Sequence, residues 1–181
     1  MSEYEKLRQQ YRPKRIKGLL IAESPPPPAD FPGARHFYRT GKARSDDRLY
    51  SNTMRALYKE AADLEDTELQ ERKPEFLERF RADGWYMTEA LETSVKKAVK
   101  KPERQTLIRK ALPRLLERVK ELASRDTKLI LIKSNVYDVA AEPLREAGFT
   151  VLNEGLVDFP GHYNQRAYRE KLAQLAKQVS Q

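Results

Sequence analysis

The chain contains no cysteine, and that absence excludes disulfides, thiolate nucleophiles, cysteine-ligated zinc and iron–sulfur clusters together. Histidine is almost as scarce: His36 and His162 are the only two, a poor basis for a histidine-built metal centre. No metal or other cofactor is therefore expected. Long apolar runs are also missing. No stretch approaches the roughly 20 apolar residues that a membrane-spanning helix needs, so no membrane partner is expected. The opening Met1-Ser2-Glu3-Tyr4-Glu5-Lys6 has no apolar segment of the kind that directs secretion, which makes a cytoplasmic protein the default reading.

What is present is charge. Lysine and arginine number 35 against 27 acids, a net charge of +8. Such an excess favours a polyanionic partner, because cations gain free energy by displacing counterions from a phosphate backbone; it equally serves solubility. At 181 residues, 39% of them hydrophobic, the chain has the length of one domain, residues 1–181, and a monomer is the simplest expectation.

Residues 1–17 are polar and end in the basic cluster Arg12-Pro13-Lys14-Arg15-Ile16-Lys17, which predicts an N-terminal helix or arm. Gly18-Leu19-Leu20-Ile21-Ala22 reads as a buried strand. It runs into Glu23-Ser24 and then four prolines, which offer no backbone donor and fix φ, so the strand ends there in a stiff extended loop. A glycine-bearing basic loop with His36-Phe37-Tyr38 inside it follows. A helix is predicted from Arg48, capped by Ser45 or Asp46, and a second one starts near Pro74 and stops at Asp83-Gly84.

Trp85 to Leu91 reads as a second strand. The basic run Lys96 to Lys110 reads as a solvated helix face. Beyond it, Ile108, Leu112, Leu115, Val119 and Leu122 form an amphipathic stripe in which Pro113 marks either a kink or a late start. Leu129 to Ile132 is a wholly apolar strand, and Ser134 or Asn135 is placed to cap the next helix. Phe149 to Asn153 reads as a fourth strand, and a last helix from Asn164 is expected to bury Ala167, Tyr168, Leu172, Leu175 and Val179.

Strands alternating with helices predict an α/β protein, a three-layer α/β/α fold with a short, four-stranded, largely parallel sheet. Right-handed crossovers bring the carboxyl ends of all strands to one side. That side collects Glu23-Ser24, Thr88-Glu89, Lys133-Ser134 and the loop Asn153 to Asn164.

The order of these motifs resembles the uracil-DNA glycosylase superfamily. Ala22-Glu23-Ser24-Pro25-Pro26 is similar to that family's water-activating loop, Thr88-Glu89-Ala90 to its second strand end, and Phe159-Pro160-Gly161-His162 in part to its last loop. Within it, Glu23-Ser24-Pro25-Pro26 followed by Phe37-Tyr38 resembles the branch without an iron–sulfur cluster. The resemblance spans roughly Gly18 to Lys171.

It implies a DNA-binding protein, acting on single or double strands, that hydrolyses the N-glycosidic bond of a damaged base. Catalysis is then expected from Glu23 and His162. Substrate contacts are expected from Ser24, Phe37, Tyr38, Thr88, Glu89, Phe159, Gly161 and Asn164, with Phe37 or Tyr38 stacking on the base. Arg35, Arg39, Lys42, Arg44, Lys133 and Ser134 are expected to hold the DNA backbone. Phe159 stands where the family has a histidine, so the alternative is a non-catalytic nucleic-acid-binding or interaction module on the same fold.

Overall fold

The computed structural model describes residues 2–27, 35–41 and 47–179. Lys42, Arg44, Ser45 and Asp46 lie outside them. Four short strands, β1 (Gly18–Ala22), β2 (Trp85–Glu89), β3 (Lys128–Leu131) and β4 (Thr150–Val151), form one parallel sheet in the order β2-β1-β3-β4. β1 and β2 are buried along their whole length; β1 accordingly runs apolar without alternation, while β2 ends in the buried polar pair Thr88-Glu89.

Among the described residues eight helices complete a three-layer α/β/α arrangement: α1 (Glu3–Gln10), α2 (Arg48–Leu57), α3 (Lys59–Ala62), α4 (Asp66–Glu71), α5 (Lys73–Ala82), α6 (Lys101–Leu122), α7 (Ser134–Glu146) and α8 (Gln165–Ala176). α2 packs on α8, and α6 packs on α7. The chain leaves β1 toward β2 on one side and returns past β1 to β3 and β4 on the other. The direction of winding thus reverses between the neighbours β1 and β3, and a crevice opens at their carboxyl ends.

Several local readings are corrected. The cap of α2 is Asp47, whose side chain accepts from the Tyr50 amide. α6 runs unbroken from Lys101 through Pro113, so the proline marks no late start. Ser134 and Asn135 lie inside α7, whose N-cap is Lys133. β4 keeps only two of the five expected residues, because the Asn153 side chain takes the N–H and C=O of Leu131 in place of further backbone. α8 buries Tyr168 and Leu172, while Ala167 is exposed and Leu175 and Val179 are half-buried.

β2 is an edge strand, and free strand edges invite pairing with other chains. Here side chains block it. The Tyr38 hydroxyl accepts from the Met87 amide at 2.6 Å and reaches the Met87 carbonyl at 3.3 Å, and Arg118 donates to the Glu89 carbonyl at 2.6 Å. Tyr38→Phe leaves the buried Met87 N–H without its acceptor, a loss of about 1–3 kcal/mol. Urea unfolding should show a lower midpoint at unchanged slope; an unchanged midpoint would mean that the hydroxyl contributes nothing to the edge.

Candidate functional site

A cleft of about 360 Å³ opens over the carboxyl ends of β1 and β2 and beside the turn that follows β3. Its wall on one side is Ala22 to Pro27, the loop that β1 runs into, and on the other Arg35, His36, Phe37, Asp47, Arg48 and Leu49. Glu89, Val95, Arg104, Lys133 and Phe159 complete it. The proline segment is tied down by Tyr4 of α1, whose hydroxyl donates to the Pro26 carbonyl at 2.6 Å.

Glu23 is the first residue past β1, and its carboxylate is buried. Three side chains converge on it. Arg104 of α6 and Lys133, at 2.9 Å, donate to Oε1, and Asn135 of α7 donates to Oε2 at 2.5 Å. Burial alone would push this carboxyl up; the donors Asn135, Lys133 and Arg104 together outweigh it and hold Glu23 below the usual carboxylate range. Glu23 is therefore a fixed negative charge at neutral pH.

Lys133 reaches it from an unusual backbone. Its φ of 81° and ψ of 140° lie in a region that side-chain-bearing residues avoid, at a cost of about 1–3 kcal/mol. Three bonds impose it: the Lys133 amide donates to the Val157 carbonyl at 2.7 Å, while its carbonyl accepts from Val136 and Tyr137 at the start of α7. The strained residue thus turns the chain from β3 into α7 and directs an amine at Glu23.

A second buried carboxylate, Glu89, closes the end of β2. Arg8 of α1 pairs with its Oε2, and Glu5 pairs with Arg8 at 2.9 Å. Burial pulls the Arg8 guanidinium down, but Glu89 and Glu5 more than restore it, so it stays charged. Burial pushes Glu89 itself up against the pull of Arg8. A third pair, Asp47 with Lys73 at 2.7 Å, holds the far wall, because Lys73 also donates to the His36 carbonyl at 3.1 Å.

His36 is 2% exposed and lies on the floor beside Glu89. Its Nδ1 accepts from the Tyr38 amide at 3.2 Å, which leaves the ring proton on Nε2. Burial, with the charges of Arg8, Lys73 and Arg39 behind it, pushes the imidazole down to about 3. The ring is neutral, and its Nε2, 3.7 Å from Glu89 Oε1, has no hydrogen-bond partner among the described residues. An uncommitted donor, itself buried behind the cleft floor, thus stands beside a carboxylate oxygen.

Of the residues expected from sequence, Glu23, Ser24, Arg35, Phe37, Glu89, Lys133 and Phe159 line this one cleft. Phe37 packs edge-on against Tyr38 and Tyr50, whereas Phe159 is 42% exposed and is the open ring of the wall. Tyr38 is core and lies outside the lining. Thr88 faces a different groove of about 220 Å³, between α1 and α6, with Arg8, Arg12, Arg114 and Arg118. Arg39 is spent on Glu3 at 2.6 Å. Ser134, half-buried in the first turn of α7, and Gly161 lie outside the lining, as do the exposed His162 and Asn164. Lys42 and Arg44 fall outside the described residues.

Sequence reasoning missed His36, Arg48, Arg104 and Asn135. Asn135 was legible as a polar residue just past the third apolar strand. Arg104 was hidden in a lysine-rich run. No protein-family model, curated protein or solved structure matches the chain.

The His36 ring titrates near 6.5 when unfolded and near 3 when folded, so as pH falls the unfolded chain takes up this proton first. Stability contributed by the neutral ring is intact above about 6.5 and drains away toward 3, at up to about 1.4 kcal/mol per pH unit. Denaturant unfolding across that window should give a shallower acid limb for His36→Gln than for the wild type; identical limbs would show that His36 titrates normally in the fold.

Proposed function

We propose that this chain binds nucleic acid at the carboxyl edge of its sheet, takes one unpaired or extruded nucleotide into the cleft, and hydrolyses its N-glycosidic bond. The observation that carries this reading is Glu23, an ionised carboxylate fixed at the winding reversal and surrounded by the cationic lining Arg35, Arg48, Arg104 and Lys133. Cleavage of a C1′–N bond develops positive charge on the sugar, and a preorganised anion stabilises it. Water adds to C1′ as the bond to the base breaks, and its proton ends on the departing nitrogen.

Glu23 acts here through charge and orientation. A carboxyl held below its usual range is a weak proton acceptor, but a carboxylate offers about four lone-pair sites and three donors leave one for the attacking water. The Oε1 of Glu89 offers an acceptor to a base edge, and Phe159 offers a ring to its face.

A second reading, a binding module without catalysis, is favoured by the two cations that already neutralise Glu23. The readings separate on oligonucleotides containing uracil, hypoxanthine, xanthine or oxidised bases, assayed for scission at abasic sites. Hydrolysis predicts abasic product from at least one lesion and a loss of at least 100-fold in Glu23→Gln. Binding with no abasic product from any lesion would leave the binding module, and product that survives Glu23→Gln undiminished would remove Glu23 from the mechanism.

A further inference from the structure

We infer that the lysine-rich turn before α6 is the track along which the phosphates of a single nucleic-acid strand leave the cleft. This rests on the nucleic-acid reading above, and it moves the backbone contact away from Arg39, which Glu3 occupies.

Lys96, Lys97, Lys100 and Lys101 fall within six residues, and all four are exposed. Lys101 pairs with Asp138 at 3.2 Å. Among the described residues the other three pair with no carboxylate, whereas many surface arginines are spent on neighbours: Arg15 on Asp126, Arg72 on Glu60 and Glu75, Arg81 on Glu78, Arg166 on Glu170. The turn therefore concentrates positive charge that the protein itself leaves uncompensated.

Its position follows from Arg104. One guanidinium nitrogen binds Glu23 in the cleft, Nε donates to the Val99 carbonyl at 2.7 Å, and Nη2 donates to the Lys96 carbonyl at 2.8 Å. The Val99 amide closes the turn on the Lys96 carbonyl at 3.1 Å, and Val95, next in the chain, lines the cleft. A single side chain thus fixes the lysine turn to the mouth beside Glu23. A strand whose nucleotide sits in the cleft meets these lysines with its neighbouring phosphates. The partner committed to is an unpaired strand, because the turn borders a cleft sized for one nucleotide.

The test is the salt dependence of binding to a 12-nucleotide single-stranded DNA, read by fluorescence anisotropy for the wild type and for the triple variant Lys96→Ala, Lys97→Ala and Lys100→Ala. Arg104 holds backbone carbonyls of the turn, so truncating these side chains leaves its anchoring in place. Each phosphate contact to a single strand contributes about 0.7 to the slope of log K against log salt, so three lost contacts should make the slope shallower by about 2. An unchanged slope overturns the track, whether or not the protein releases a base, and so does a wild-type protein that fails to bind the strand at low salt. A slope that falls as expected, with no abasic product from any lesion, keeps the track and rejects hydrolysis instead.

Discussion

The structure depends on one buried charge. Glu23 ends β1 with a carboxylate that three separate parts of the chain must satisfy: Arg104 from α6, Lys133 from the turn after β3, and Asn135 from the first turn of α7. Losing Glu23 leaves Arg104 and Lys133 without the carboxylate that pairs them, and losing one of the donors leaves that buried carboxylate short of a partner. The same logic recurs twice at the cleft, in Glu89 with Arg8 and in Asp47 with Lys73, so each carboxylate of its lining is paired with a cation from another element. The cleft is held open by ion pairs, over a sheet whose core is largely apolar.

That cluster explains the one strained non-glycine backbone among the described residues. A lysine at φ 81° is tolerated because the strand-to-helix turn is fixed at both ends by hydrogen bonds and its amine finds Glu23. Arg104 extends the network outward to the lysine turn, so a buried charge of the cleft and the exposed cations beside it share one side chain. Charge buried at the winding reversal and charge displayed at its rim are parts of one arrangement.

The strands were legible because each is short, apolar and bounded by turn residues; Gly18 to Ala22 matches β1 and Leu129 to Ile132 nearly matches β3. The parallel fold followed from their alternation with helices. Glu23, Glu89 and Lys133 were legible because topology alone brings strand ends together. What escaped were partners supplied from far along the chain. Arg104 looks like any other basic residue of an exposed helix until α6 is laid beside β1. Tyr38 looks like a stacking ring, yet its hydroxyl is consumed by the edge of β2. His162 follows a proline and glycine in a loop of the expected place, but the loop turns it to solvent, and the histidine that reaches the cleft is His36.

The account stands most directly on where a nucleotide sits. A crystal structure of the Glu23→Gln protein with a single-stranded oligonucleotide, the substitution blocking turnover, should show one nucleotide in the cleft with its C1′ beside residue 23. Its base should lie against Phe159 and within hydrogen-bond reach of Glu89. A strand bound elsewhere, with the cleft empty, would contradict it.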